Sequence, residues 1–210
     1  MHVVSIDKQV INEMPRVTFT GRIHIITDVS QVKSAVYTLR EARVVGFDTE
    51  TRPCFRRGEK HNVALLQLST QGEAFLFRLN MTGIPSPLRQ YLEDKKCIKV
   101  GLSTTDDFHQ LVRICPELHP AGFVEVQQLV KEYLISDMSL QKIFAILFQR
   151  KISKGQQLTN WESPQLTGAQ QQYAAIDAWA CLQIFEYLKA GEFVPELSPF
   201  YHEVVEEEHV

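Results

Sequence analysis

The chain has 210 residues, a length that corresponds to one compact domain. Hydrophobic residues make up 44% and charged residues 22%, which is typical of a globular protein and excludes a disordered, collagen-like or coiled-coil chain. The net charge of −3 excludes a surface that is basic throughout, so any nucleic-acid site must be local. We expect a single domain over residues 1–210, with a core at about 21–190 and peripheral ends at 1–20 and 191–210.

The sequence shows neither a membrane-spanning segment nor a secretory signal. No apolar run approaches the roughly 18 residues needed to cross a bilayer, and the N-terminus lacks the layout of a signal peptide. Four cysteines stand far apart, with no pair at zinc-site spacing, and are expected as reduced thiols. These observations predict a cytoplasmic protein.

Short apolar runs alternate with helical patterns along the chain, which is typical of an α/β domain. The elements predicted first are strand 21–26, helix 28–42, strand 44–50 and an antiparallel hairpin of strands 63–69 and 73–79. The elements predicted next are helix 87–93, strand 97–101, a helix after 103–105, a short strand near 122–126, helical patterns at 126–134 and 140–148, and a long helix from 167. The predicted fold is one mixed sheet with helices on both faces.

Asp48 and Glu50 stand at the polar end of the most apolar strand. Because side chains alternate along a strand, both carboxylates point to the same face. Such a pair occurs by chance in many proteins, and a solvated strand end is the alternative interpretation. The buried run before the pair favours a ligand site, because α/β sheets bind ligands at the carboxyl ends of their strands.

Two helices add further acids. Asp106 and Asp107 lie in the first turn of a predicted helix, where a carboxylate also gains from the helix dipole. Tyr173 and Asp177 are four residues apart and therefore share a helix face, with a core tyrosine beside a surface acid as the alternative. Small alanines around them allow this helix to approach the sheet closely.

Four carboxylates, from Asp48, Glu50, Asp107 and Asp177, are consistent with a site for two divalent cations. Oxygen ligands favour Mg²⁺ or Mn²⁺ over zinc or copper. The seven histidines show no H-x-x-x-H spacing. Without cations, mutual repulsion is expected to raise some of the carboxylate pKa values.

These motifs resemble those of the DEDD 3′–5′ exonucleases of the RNase H-like fold. The match consists of Asp48-Thr-Glu50 after a strand, Val-Gly-Leu-Ser-Thr-Thr-Asp-Asp107, and Tyr173-Ala-Ala-Ile-Asp177, in the family's order. Tyrosine four residues before the last aspartate resembles the DEDDy subgroup. The stretch 154–161 further resembles the exonuclease domain of the Werner syndrome helicase and its stand-alone bacterial relatives.

The resemblance implies a five-stranded sheet with three antiparallel and two parallel strands. It also implies an enzyme that uses two divalent cations to remove nucleotides by hydrolysis from a free 3′ end. The substrate would be single-stranded or frayed DNA, or RNA. It implies that Asp48 contacts both ions, Glu50 and Asp177 the ion beside the attacking water, and Asp107 the other, while Tyr173 orients the water. Because Asp106 and Asp107 are adjacent, either of them could be the ligand at this position. The alternatives are an inactive nucleic-acid or partner-binding module and a related endonuclease.

Substrate contacts are predicted from charge and aromatic character. Arginines and lysines in two loops are candidates for phosphate contacts, with a solvated loop as the alternative; they are Arg52, Arg56, Arg57, Lys60, Lys151 and Lys154. Trp161 and Phe55 are candidates for stacking on a base, with loop anchoring as the alternative.

Overall fold

The part of the chain that the structure describes folds into a six-stranded mixed sheet with helices on both faces and a small two-stranded sheet that pairs an N-terminal with a C-terminal segment. The computed structural model describes residues 1–56 and 58–204. The strands are β1 (His2–Val4), β2 (Arg22–Ile26), β3 (Val44–Thr51), β4 (Val63–Ser69), β5 (Glu73–Phe77), β6 (Ile98–Gly101), β7 (Phe123–Glu125) and β8 (Tyr201–Glu203). The α-helices are α1 (Lys8–Glu13), α2 (Val29–Glu41), α3 (Leu79–Thr82), α4 (Ser86–Glu93), α5 (Thr104–Ile114), α6 (Val126–Leu129), α7 (Leu140–Phe148) and α8 (Gly168–Lys189), with 3₁₀ turns at Val130–Tyr133 and Pro195–Leu197.

The large sheet has the strand order β2-β5-β4-β3-β6-β7. Strands β3, β4 and β5 form an antiparallel meander, while β6 pairs parallel to β3 and β7 parallel to β6. Strand β3 therefore lies inside the sheet, with neighbours on both sides.

The two faces of β3 have different partners because its side chains alternate. Val45 and Phe47 are fully buried in a cluster with apolar residues of α2, α4 and α5. On the opposite face, Gly46 lies against α8. The strand residues that share the Gly46 face, Asp48 and Glu50, are thereby directed toward α8.

The fold class predicted from the sequence is confirmed, with one more strand than the resemblance implied. The additional strand, β2, pairs parallel to β5 at the edge of the sheet. The run 21–26 was predicted as a strand, but its apolar pattern does not specify which neighbour it pairs with. The predicted strand 73–79 ends at Phe77, because Arg78 begins the turn into α3.

The N-terminal segment is packed into the core more extensively than expected. Residues 1–20, expected to be peripheral or frayed, contribute several buried side chains to the main core; they are Val4, Ile6, Ile11, Val17 and Phe19. Strand β1 also pairs antiparallel with β8. These apolar residues come from short, separate segments and therefore show no periodicity in the sequence. Residues 205–210, most of the acidic C-terminal stretch, lie outside the described residues.

Within residues 1–56 and 58–204, no helix combines the length and apolar character that crossing a membrane requires.

Candidate active site

Strand β3 supplies two carboxylates to the site. Asp48 pairs with Gln67 and Glu50 with Leu65 of β4, and after a register shift at Glu50/Thr51 the strand pairs once more, Thr51 with Val63. The buried apolar residues that precede Asp48 hold this end of the strand in place. Asp48 and Glu50 are therefore fixed by the sheet.

Helix α8 supplies the third carboxylate and a tyrosine. It begins with the predicted capping box, in which the Thr167 side chain accepts from the Gln170 backbone N–H and the Gln170 side chain accepts from that of Thr167. This start places Tyr173 and Asp177 on the face of α8 that lines the same cavity as Asp48 and Glu50.

The structure brings three of the predicted carboxylates together. One oxygen each from Asp48, Glu50 and Asp177 lies within 4.8 Å of the others. Glu50 is only 9% exposed and Asp177 only 7%. The three face a cavity of about 570 Å³ that Tyr173 also lines. Three carboxyl groups are therefore packed together with little access to solvent.

Asp107 borders this group without belonging to the 4.8 Å cluster. It is half-buried in the first turn of α5, and its Oδ1 accepts a hydrogen bond from the Thr49 hydroxyl. Its charge raises the pKa values of Asp48 and Glu50, so it lies within electrostatic reach of both. Asp106 is exposed. The geometry therefore favours Asp107 as the residue of the doublet that faces the site.

The pKa values of all four carboxyl groups are raised. Burial is the largest cause in each, and for Asp48 and Glu50 the neighbouring acids add to it. The pKa of Glu50 rises to about 9, and those of Asp107 and Asp177 to about 7. The direction agrees with the sequence-based expectation, but desolvation contributes more than the repulsion on which that expectation rested.

The donor set fits hard divalent cations. The three clustered residues offer only carboxylate oxygens, the ligands that Mg²⁺ and Mn²⁺ prefer. Burying several carboxylates together without a balancing positive charge is unfavourable. Lys154 lowers the pKa of Asp177 but is itself exposed. The acids of this cluster thus have the composition of a divalent-metal site.

The predicted substrate residues are placed differently from one another. Lys154 lines the acidic cavity. Arg52 forms an ion pair with Glu162 at 3.2 Å, and Lys60 lines a separate cavity together with Glu162. Trp161 is fully buried, with its ring centroid 5.9 Å from that of Tyr173. Its indole is therefore not accessible to a base, and the predicted stacking role of Trp161 is wrong. The alternative, that Trp161 anchors its loop to the core, agrees with the structure.

Among the other candidates, Phe55 is 77% exposed and Arg56 is exposed, so both remain open to a ligand. The Lys151 amine donates to the backbone carbonyl of Asn12. Arg57 lies outside the described residues.

Thr49 and Gly46 also contribute to the site and were not identified from the sequence. The Thr49 hydroxyl donates a hydrogen bond to Asp107 from the face of β3 opposite to that of Asp48. The alternation of side chains along the strand could have indicated that Thr49 lies on this face. Gly46 has no side chain at the point where the Ala178 carbonyl crosses β3. The alanine-rich pattern of α8 predicted this close approach but not the residue on the sheet that allows it.

A mixed sheet whose central strand ends in paired carboxylates, joined by acids from two helices, suits hydrolysis of phosphodiesters with divalent cations. A family model described as 3′–5′ exonuclease matches residues 23–191. The chain belongs to the 3′–5′ exonuclease family, which confirms the family predicted from the sequence motifs.

Two curated relatives illustrate the similarity. The bifunctional 3′–5′ exonuclease/ATP-dependent helicase WRN of Mus musculus is 31% identical over 156 residues, which cover 71% of this chain and 11% of that protein. A 3′–5′ exonuclease of Arabidopsis thaliana is 31% identical over 160 residues, 69% of this chain and 52% of that protein. The chain thus spans about half or less of the length of these relatives.

Solved structures support the fold. The EXO domain of Aedes aegypti Nibbler superposes with a TM-score of 0.72 at 17% identity, covering 93% of this chain and 96% of that one. Escherichia coli RNase D, described as an exoribonuclease involved in structured RNA processing, gives 0.70 at 22% identity, covering 80% and 44%. At these identities the likeness concerns the fold alone.

Proposed function

We propose that this chain removes nucleotides from the 3′ end of a nucleic acid strand as an enzyme of the DEDDy subgroup. The observation that carries the proposal is the convergence of Asp48, Glu50 and Asp177 within 4.8 Å, beside a cavity that Tyr173 also lines. Asp107 completes the set through its bond to Thr49. The substrate is a strand with a free 3′ end, either single-stranded or frayed DNA, or RNA. A Trypanosoma brucei RNase D of the same fold has been solved in complex with RNA U12, which supports including RNA.

Two divalent cations, Mg²⁺ or Mn²⁺, are the proposed cofactors, held by Asp48, Glu50, Asp107 and Asp177. When bound, they offset the carboxylate charge and act as Lewis acids on the scissile phosphodiester. The carboxylates serve this role in their ionised form. Because their pKa values are raised without cations, cation binding and loss of protons are linked, and affinity is expected to increase with pH.

Tyr173 acts as a hydrogen-bond donor rather than as a base. Burial, together with the charges of Asp177 and Glu50, raises the pKa of Tyr173 well above its ordinary value, so the phenol stays protonated at neutral pH. Tyr173 lines the cavity, and in the proposed mechanism its hydroxyl orients the attacking water. The packing of Trp161 against its ring restricts the directions it can adopt.

Lys154 is the proposed phosphate contact inside the cavity, because it lines the cavity and its positive charge acts on Asp177. Arg52 and Lys60 remain candidates for the strand outside the cavity. In Arg52 the ion pair with Glu162 must loosen before a phosphate can replace it. The cytoplasmic location inferred from the sequence stays a prediction.

The test is digestion of a 5′-labelled single strand, as DNA and as RNA, with Mn²⁺ present. A ladder that shortens from the 3′ end supports the proposal, an internal cut indicates an endonuclease, and no product indicates a binding module. The control is Asp48→Ala, prepared in parallel. If wild type and the variant give the same ladder, the activity belongs to a contaminant and the proposal fails.

A further inference from the structure

The carboxylate of Glu125 lies at the end of β7, outside the acidic cluster, and accepts four hydrogen bonds. Its Oε1 accepts from the backbone N–H groups of Ser103 at 3.0 Å and Gln127 at 3.1 Å. Its Oε2 accepts from the backbone N–H of Thr104 at 2.8 Å and from the Thr104 hydroxyl at 3.0 Å. One side chain therefore connects the starts of two helices, α5 and α6.

Helix α5 depends on this carboxylate for its N-terminal cap. The first N–H groups of a helix have no partner within the helix and need an outside acceptor. Ser103 occupies the N-cap position, but its side chain makes no capping bond, and its φ of 60° lies in the left-handed region. That conformation is unfavourable for a residue with a side chain, so surrounding contacts must hold it. Glu125 provides those contacts from the neighbouring element.

The strand that carries Glu125 is itself fixed. Strand β7 pairs parallel to β6, with Glu125 opposite Gly101. The turn between β6 and α5 is tight: a Cβ at Gly101 would lie 2.6 Å from the methyl group of Thr104. Glu125 therefore fixes the position of the first turn of α5 relative to the sheet.

Asp107 lies one helical turn after Thr104, so its direction follows from where α5 begins. On its other side, Asp107 accepts from Thr49 of β3. Two attachments therefore determine where its carboxylate lies: Thr49 holds the side chain, and Glu125 holds the backbone of the turn. The second attachment keeps Asp107 beside the acids of β3.

We infer that Glu125 is a positioning residue for the metal centre, which acts through α5 to hold Asp107 at the cluster. A carboxylate is required, because three of its four partners are backbone N–H donors, and an amide would direct its own NH₂ group at one or two of them. The inference rests on the proposed function, since it assigns Asp107 a role in cation binding.

The test compares Glu125→Ala with Asp28→Ala in the full chain. Asp28 accepts from the Ser30 N–H at 2.8 Å and caps α2, which carries none of the clustered acids. Both variants lose a helix cap and should lose thermal stability. Only the Glu125 variant should bind Mn²⁺ more weakly in calorimetry, by about 10-fold or more, with kcat reduced in proportion and KM for the strand little changed. Glu125→Asp, which keeps both acceptor oxygens on a shorter side chain, should recover part of the Mn²⁺ affinity.

Glu125→Ala with the Mn²⁺ affinity and kcat of Asp28→Ala would overturn the inference. If Glu125→Ala does not fold, Thr104→Val takes its place, because it keeps the shape of the side chain and removes one of the four bonds. We expect a smaller loss of Mn²⁺ affinity in the same direction, and unchanged affinity would count against the inference. A wild type that neither binds Mn²⁺ nor digests a strand contradicts the proposed function instead.

Discussion

The close contact between Gly46 and helix α8 leads to a quantitative prediction for Gly46→Ala. A Cβ added at this position would lie 1.7 Å from the Ala178 carbonyl oxygen and 2.6 Å from its carbon. Real Cβ contacts essentially never fall below 3.0 Å, so α8 must move away from β3 by at least about 1.3 Å at this point. Asp177 is the residue before Ala178 and must move with it. The distance from Asp177 to Asp48 and Glu50 should therefore increase by a similar amount.

A shift of this size should reduce activity more than stability. Overpacking of a buried site typically costs about 1–3 kcal/mol, which a folded domain can tolerate. A displacement of about 1 Å at catalytic groups can reduce the rate about 100-fold. We expect Gly46→Ala to unfold at a lower temperature, to bind Mn²⁺ more weakly and to digest a labelled strand about 100-fold more slowly.

The matched control is Gly72→Ala, because no heavy atom lies within 4 Å of a Cβ built at Gly72. This variant should behave like wild type in all three assays. A Gly46→Ala protein with wild-type Mn²⁺ affinity and rate would refute the argument that the approach of α8 sets the geometry of the acids. A Gly46→Ala protein that is fully folded at low temperature but still digests the strand slowly would support this argument.

Three further predictions concern the same region. Asp107→Asn should reduce the strand-digestion rate by orders of magnitude while Asp106→Asn retains it, and the opposite order would assign the ligand to Asp106. Trp161→Ala should destabilise the protein by about 3–5 kcal/mol, measured by denaturant unfolding, because it empties a fully buried site; an unchanged midpoint would contradict the anchor role. In EDTA, stability should fall as pH rises from about 4 to about 9, because the raised pKa values of Glu50 and Asp177 mean that the folded state binds more protons than the unfolded one across that range. Saturating Mg²⁺ should weaken this fall, and a melting temperature that rises with pH in EDTA would contradict it.

The sequence allowed prediction of those features that depend on local order. Alternation along β3 predicted that Asp48 and Glu50 share a face, and the Thr167 capping box predicted the start of α8. Features set by contacts between distant segments could not be predicted in this way. The parallel pairing of β2 with β5 and the burial of Trp161 against Tyr173 depend on neighbours that no periodicity specifies.

The direction in which a loop faces could also not be predicted from the sequence. Lys60 and Lys154 are both basic residues in loops near site motifs, yet Lys154 lines the acidic cavity and Lys60 a different one. Composition indicated which residues could contact phosphate but not which side of the molecule each loop faces. The cap that Glu125 provides for α5 was missed for a related reason, because its partners Ser103 and Thr104 lie more than 20 residues earlier in the chain.

We expect Asp48, Glu50, Asp107 and Asp177 to form one centre for divalent cations. The most direct measurement is anomalous diffraction from crystals soaked in Mn²⁺, collected for the wild type and for Asp48→Asn. We predict anomalous peaks between the β3 and α8 carboxylates and beside Asp107 in the wild type, with loss of occupancy in the variant. Mn²⁺ bound elsewhere on the surface, with none among these acids, would contradict the account.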